Sequence, residues 1–133
     1  MKGLLKWVPL ILLLLGFASC KKEEKTFRLL SADESGISFS NQLTPSAELN
    51  ILTYLYYYNG AGVMIADINN DRLNDIYFTS NQGADKLFLN KGDLKFEDIT
   101  ASAKIRNDSG WTTGVTYVDI NNDGLLDIYV CKV

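Results

Sequence analysis

The chain carries at residues 67–75 the sequence Asp67-Ile68-Asn69-Asn70-Asp71-Arg72-Leu73-Asn74-Asp75. This acidic loop recurs as Asp119-Ile120-Asn121-Asn122-Asp123-Gly124-Leu125-Leu126-Asp127, which begins 52 positions later, at residue 119 against residue 67. Ile-Tyr follows both copies. An internal repeat with a period of about 50 residues indicates an architecture of stacked or radially arranged units.

Oxygen-bearing side chains occupy positions 1, 3, 5 and 9 of both loops, and position 7 is a leucine that offers its backbone carbonyl. The candidate metal ligands are Asp67, Asn69, Asp71, Leu73 and Asp75 in the first loop and Asp119, Asn121, Asp123, Leu125 and Asp127 in the second. A loop that curls around an ion brings alternate oxygens together, and an all-oxygen set predicts Ca²⁺. The alternative is an Asp- and Asn-rich turn without metal. The repeated spacing favours calcium.

An EF-hand uses the same positions but requires a bidentate Glu at position 12. Phe78 and Val130 occupy that position, and strand-like sequence flanks both loops. Without a bidentate ligand, the predicted dissociation constant is on the order of 10⁻⁴ to 10⁻³ M, which suits extracellular calcium. Gly124 lies where the sharp turn favours glycine, whereas Arg72 lies there in the first loop. We therefore predict tighter binding in the second loop.

The composition limits the classes of function. The chain has 133 residues, room for one domain at most, with 13 Lys and Arg against 16 Asp and Glu. It contains no histidine, which excludes Ser-His-Asp and Cys-His catalysis and histidine-ligated zinc within this chain. We therefore expect no catalytic residues here. The sequence has no basic stripe, so nucleic acid is not an expected partner.

Residues 1–19 have the features of an export signal: a basic start, an apolar run at residues 7–17 and small residues after it. The uninterrupted apolar run is shorter than the roughly 20 residues of a transmembrane helix. Cys20 follows directly and resembles the lipidated cysteine of a bacterial lipobox; the alternative is an ordinary cleavable signal. Residues 20–26 are interpreted as a charged, solvated tether. The predicted location is outside the cell, lipid-anchored through Cys20 to the outer membrane and exposed at the surface.

Short β-rich runs alternate with turn signals from Thr26 onward, and no segment has a sustained helical period. This pattern predicts an all-β fold. Residues 27–58 are interpreted as lead-in strands. The predicted strands are 27–30, 37–39, 50–58, 63–68, 76–79, 86–89, 95–100, 115–120 and 128–133. Four strands per repeat of about 50 residues is the content of one propeller blade.

Aromatic residues are interpreted as packing between blades, although a ligand platform is the alternative reading. These residues are Tyr54, Tyr56, Tyr57, Tyr58 and Trp111. Cys131 lies in a strand-like run and is predicted to be a buried residue rather than a reactive thiol.

The chain resembles the FG-GAP/VCBS repeat family, the calcium-loop β-propellers related to integrin α-subunit heads. The residues that carry the resemblance are the two loops, Gly60-Ala61-Gly62-Val63, Asn90-Lys91-Gly92-Asp93 and Phe96-Glu97-Asp98-Ile99-Thr100. More specifically, the chain resembles the start of large secreted bacterial FG-GAP proteins that often end in an ASPIC/UnbV domain. The departures are Arg72 and Leu94, where the family usually has glycine.

The resemblance implies a partial β-propeller: one complete blade at residues 59–110 and part of a second at 111–133. It implies a non-catalytic, calcium-binding recognition or adhesion module of a cell-envelope lipoprotein, with an extracellular protein or glycan as ligand. A propeller needs at least about four blades, so we expect this chain to be a fragment of a longer protein. One alternative is the N-terminal part of an envelope carbohydrate-active enzyme whose catalytic residues lie beyond residue 133. Another is a purely structural spacer.

Overall fold

A computed structural model describes residues 26–106 and 110–133. Its elements are α1 (Ala32–Ser35), β1 (Val63–Ala66), β2 (Asp75–Phe78), β3 (Lys86–Asn90), β4 (Phe96–Asp98), β5 (Thr112–Val118) and β6 (Asp127–Lys132). The first four strands form an antiparallel sheet in the order β1-β2-β3-β4, and β5 pairs with β6 in a second antiparallel sheet. The predicted all-β fold is confirmed. The export signal of residues 1–19 and Cys20 lie outside the described residues.

The core lies between the two sheets. Alternation along β1 buries Met64 and Ala66, while Val63 and Ile65 on the opposite face are each 56% exposed. Met64 pairs with Tyr77 on β2, and Tyr77 pairs in turn with Leu87 on β3. These residues form one buried cluster, against which the second sheet packs Val115, Ile128 and Val130. The sequence period of two therefore decides which face of the first sheet meets the second.

Close approach of the two sheets requires glycine at one point. A Cβ atom on Gly62 would lie 2.8 Å from the backbone nitrogen of Val115 and 2.9 Å from Cα of Gly114. Backbone atoms of a paired strand cannot move aside as a flexible side chain can. Gly62, at the entry to β1, therefore allows contact between the sheets that any larger residue would prevent.

The lead-in segment differs from the prediction. The structure has no strand between residues 27 and 58; it has α1 and a series of turns. Ser31 caps α1, because its hydroxyl accepts a hydrogen bond from the Glu34 amide while the Glu34 carboxylate accepts one from the Ser31 amide. This capping box is visible in the sequence as Ser31-Ala32-Asp33-Glu34, and the β interpretation of residues 27–30 overlooked it. Asn50 then bonds to its neighbours' backbone and forces a turn where residues 50–58 were predicted to be extended.

The lead-in segment covers part of the second face of the first sheet. The Phe39 ring stacks on Phe78 of β2 at a centroid distance of 4.8 Å, and Phe78 meets Phe88 edge to face at 5.9 Å. Phe88 is 1% exposed. Both faces of the sheet are therefore buried around β2 and β3, which explains the apolar sequence of these central strands.

A buried amide joins three parts of the fold. Asn81, three residues after the end of β2, is 1% exposed. Its Nδ2 donates to the carbonyls of Gly60 at 3.0 Å and Thr112 at 2.9 Å, and its Oδ1 accepts from Asn41 Nδ2 at 2.7 Å. The Asn81 backbone amide also donates to Asn41 Oδ1 at 3.0 Å. One side chain thus connects the lead-in segment, the first sheet and the start of β5.

Tyr54 and Tyr57 pack as predicted, but from turns of the lead-in segment onto Trp111 rather than from a strand between blades. Their rings lie 5.4 Å and 5.2 Å from the ring of Trp111, and Tyr57 is completely buried. Tyr56 and Tyr58 differ, with 63% and 64% of their surface exposed. Trp111 precedes β5, so this cluster, like Asn81, attaches the lead-in segment to the second sheet.

The prediction of a buried Cys131 is wrong, because the residue is exposed. Cys131 lies on β6, which pairs only with β5 among the described residues. Alternate positions on this strand, Ile128 and Val130, face the first sheet, so Cys131 is left on the uncovered side. No helix within residues 26–106 or 110–133 is long and apolar enough to cross a membrane.

Candidate metal centre

The first acidic loop connects β1 to β2 and is organised by its own carboxylates. Asp67 accepts backbone hydrogen bonds from Asp71 at 3.1 Å and Arg72 at 2.7 Å, one on each oxygen. Asp71 Oδ1 accepts from the Leu73 amide at 2.8 Å, and its Oδ2 accepts from Asn69 Nδ2 at 2.9 Å. The loop therefore curls around its acidic side chains, as the alternating positions 1, 3 and 5 predict.

The second loop connects β5 to β6 and repeats this network. Asp119 accepts from the amides of Asp123 at 3.0 Å and Gly124 at 2.9 Å, and Asp123 accepts from the Leu125 amide at 2.8 Å and from Asn121 Nδ2 at 2.9 Å. Corresponding distances in the two loops agree within 0.2 Å. The two sequences therefore produce one local structure despite the Arg72 and Gly124 difference.

The last aspartate of each loop closes it, but the two residues are not equivalent. Asp75 Oδ2 accepts from the Ile68 amide and Asp127 Oδ2 from the Ile120 amide, both at 3.1 Å. Asp75 Oδ1 also accepts from the Asn90 amide at 2.8 Å, and Asp75 is completely buried. Asp127 is half-buried. Asp75 thus connects its loop to the end of β3.

The charged state of one loop carboxylate is stabilised by its hydrogen bonds. The amide of Leu125, and then the side chain of Asn121, lower the pKa of Asp123 below its usual range. Hydrogen bonds donated to a carboxylate favour its ionised form. Asp123 is therefore fully charged at neutral pH, as a cation ligand must be.

The donor chemistry of both loops fits a hard cation. All the candidate side chains are carboxylates or amides, and an ionised carboxylate that accepts one hydrogen bond per oxygen keeps lone pairs for a metal. Within the described residues, however, no group of three or more Asp, Glu, Cys or His side chains is arranged as a metal site. The carboxylates bond instead to amides of the loops and, for Asp75, also to the Asn90 amide. The structure thus shows the predicted curl of each loop, while the metal and its ligand residues stay a prediction.

Sequence reasoning missed one residue of this region. Asn90, at the end of β3, holds Asp75 through its backbone amide and donates from Nδ2 to the carbonyl of Asn74 at 2.8 Å. The sequence identified Asn90 only as the start of a hairpin turn. That turn is confirmed by the Lys95 amide, which donates to the Gly92 carbonyl at 2.9 Å. Only pairing of β2 with β3 brings Asn90 to the loop.

Position 6 of the first loop has the backbone strain that the sequence predicts. Arg72 has φ of 70° where Gly124 has 83°. Because a non-glycine residue in this region costs about 1–2 kcal/mol and glycine costs about 0.4–1 kcal/mol of unfolded-state entropy, Arg72→Gly should raise the free energy of unfolding by about 0.5–1 kcal/mol. Urea denaturation in chelator measures this gain. Arg72→Gln keeps the strain and removes a positive charge from a loop with three aspartates, so it should give no gain in stability; an equal gain in both variants would refute the strain explanation.

Two sheets that each begin with a hairpin around the same acidic loop are consistent with part of a β-propeller. Residues 67–130 match the FG-GAP-like repeat family. This match supports an FG-GAP-like repeat domain at residues 67–130, just under half of the chain, while the division into a complete first blade and a partial second blade stays a prediction.

The chain is also similar to cartilage acidic protein 1 from vertebrates. Identity with the Xenopus tropicalis protein is 32% over 104 residues, which cover 75% of this chain and 16% of that protein. Identity with the Homo sapiens protein is 36% over 72 residues, which cover 54% of this chain and 11% of that protein. The chain therefore spans less than a fifth of the length of these relatives. No solved structure matches it significantly. Because these relatives are animal proteins, the bacterial lipoprotein setting stays a prediction.

Proposed function

We propose that residues 67–75 and 119–127 each bind one Ca²⁺, and that this FG-GAP-like repeat serves as a calcium-stabilised recognition module of an exported, lipid-anchored envelope protein. The observation that carries the metal proposal is the shared hydrogen-bond network of the two loops. In each loop the residues at positions 1 and 5 are held by amides of the same turn. The role proposed for the described residues is binding rather than catalysis.

The charge of the loops supports a cation. Each loop places three aspartates within nine residues, so their mutual repulsion opposes the folded loop. Amide donors offset part of this repulsion, and a divalent cation would offset more. Oxygen ligands at alternate positions, with the leucine carbonyl and water completing the shell, suit Ca²⁺ better than Mg²⁺, which keeps more of its own water.

Calcium should therefore stabilise the full chain against unfolding. With dissociation constants on the order of 10⁻⁴ to 10⁻³ M, about 10 mM free calcium contributes roughly 1–3 kcal/mol per loop. The melting temperature should rise by about 4–8 °C for each kcal/mol. Thermal melts in calcium, in magnesium and in chelator measure this effect. A melting temperature that is the same in calcium and chelator would contradict the metal proposal.

The second loop should bind calcium more tightly because of the charge at position 6 rather than because of backbone strain there. Arg72 already has its positive φ without metal, so that strain does not oppose binding. Its positive charge does, at about 1–1.7 kcal/mol against a divalent ion across roughly 5–8 Å of water, a repulsion that salt then reduces by screening. Asp123→Ala should therefore remove more of the calcium affinity than Asp71→Ala, and Arg72→Gln should tighten the first loop a few-fold. Calorimetric titration of the three variants tests this ranking, and a larger loss for Asp71→Ala would reverse it.

A further inference from the structure

A cavity of about 250 Å³ lies between the first sheet and β6. Its floor is apolar, formed by Tyr77 of β2, Ile105 of the linker between β4 and β5, and Ile128 and Val130 of β6. Tyr77 is 3% exposed, and the three aliphatic residues pack against the core. The floor of the cavity is therefore formed by strand residues together with one residue of the linker.

Three cationic side chains line this cavity: Lys104, Arg106 and Lys132. We call this site the cationic cavity. Lys104 and Arg106 form no ion pair with a carboxylate of the described residues. The carboxylate of Asp85 accepts from the Tyr77 hydroxyl at 3.3 Å and from the Ser80 amide at 2.8 Å. An acidic chain thus concentrates positive charge around one apolar floor.

Lys104 lies at a backbone position that favours glycine. The linker turns through a Schellman motif, in which the Ile105 amide donates to the Thr100 carbonyl and the Lys104 amide to the Ala101 carbonyl, both at 3.1 Å. Lys104 is the left-handed residue of this motif, with φ of 55°. Glycine is the usual residue there because it has no Cβ to clash. Strained residues of this kind concentrate at functional sites.

We propose that the cationic cavity binds an oxyanion, a carboxylate or a sulfate, carried on a compact ligand such as an acidic sugar ring. Lys104 and Arg106 supply charge-assisted hydrogen bonds to the anion, and the apolar floor receives the less polar face of the ligand. The cavity volume suits one ring rather than a polymer chain. This inference rests on the recognition role proposed above and names the class of ligand.

Titration of the full chain with sodium glucuronate, sodium sulfate and neutral glucose at constant ionic strength tests the proposal. Amide NMR shifts near Ile105 and Ile128 report binding at this site. We expect saturation by glucuronate with a dissociation constant on the order of 1 mM and no saturation by glucose. Saturation by both sulfate and glucuronate would show that the oxyanion alone is sufficient for binding. Saturation by glucuronate but not by sulfate would show that the sugar ring contributes. Failure of both anions to saturate, or equal binding of glucose, would overturn the proposal.

Variants connect binding to the named cations. Lys104→Gly removes a charge at a position where the backbone prefers glycine, so the fold is retained. A lower affinity for glucuronate in this variant therefore reports the loss of a binding contact. We expect about tenfold weaker glucuronate binding in Lys104→Gly and in Arg106→Gln. Lys91→Gln is the matched control, since Lys91 is an exposed cation paired with Glu97 outside the cavity. If Lys104→Gly and Arg106→Gln bind glucuronate as tightly as the control Lys91→Gln does, the assignment of the binding site to the cationic cavity is refuted. The titrations are made with and without calcium, so failure of the metal proposal and failure of the cavity are seen separately.

Discussion

Asp75→Ala is expected to lower the free energy of unfolding by about 3 kcal/mol, measured by urea denaturation in chelator so that no metal contributes. Asp75 is completely buried, and its two oxygens accept backbone hydrogen bonds from Ile68 and Asn90. Alanine leaves both amides without an acceptor inside the protein. An unsatisfied buried donor costs about 1–3 kcal/mol, and this substitution creates two.

Asp127→Ala is the matched control for this prediction. Asp127 occupies the same position of the second loop, but it is half-buried and holds a single backbone amide, that of Ile120. Its replacement should cost about 1 kcal/mol, because water can reach the freed amide. The two aspartates are indistinguishable in sequence, so a threefold difference would come from tertiary structure alone. Equal losses would show that burial of Asp75 and its bond to Asn90 contribute nothing.

Asn81→Ala is expected to lower the free energy of unfolding by about 3 kcal/mol and to loosen the second sheet from the first. The substitution removes the donor that bonds the carbonyls of Gly60 and Thr112 and the acceptor for Asn41. It also leaves a small cavity at a site that is 1% exposed. Because Thr112 follows Trp111, the near-ultraviolet circular dichroism of the tryptophan should weaken even where the fold is retained. Hydrogen exchange should accelerate in β5 and β6 more than in β2 and β3.

Gln82→Ala provides the comparison for Asn81. Gln82 is the adjacent amide residue, but it is exposed and bonds only to the backbone of Thr44. Its replacement should cost about 1 kcal/mol or less and should leave exchange in β5 unchanged. If both variants lose the same stability, or if exchange in β5 stays slow in Asn81→Ala, Asn81 does not connect the sheets.

Much of the fold was predictable because its signals are local. Alternating residues such as Met64 and Ala66 identify β1, and the hairpin at residues 90–93 identifies the connection between β3 and β4. The positive φ of Arg72 and Leu94 was also predictable, because both residues lie where the family usually has glycine. The prediction of strands in the lead-in segment was wrong because its structure depends on distant contacts rather than on local signals. Its apolar residues, Phe39 among them, pack on the first sheet without joining it, and periodicity alone does not distinguish a strand from a packed turn.

The sequence by itself determined the two acidic loops, their internal turns and the all-β repeat around them. These features depend on residues within ten positions of one another, so backbone propensity and side-chain-to-backbone hydrogen bonds decide them. Tertiary structure alone decided that Asp75 is buried and Asp127 is not, since within the described residues Asn90 of β3 meets the first loop and no third strand lies beside the second. It also decided that Lys104 and Lys132 share one cavity. Contacts between distant segments follow from how the sheets pack, and no local pattern encodes that packing.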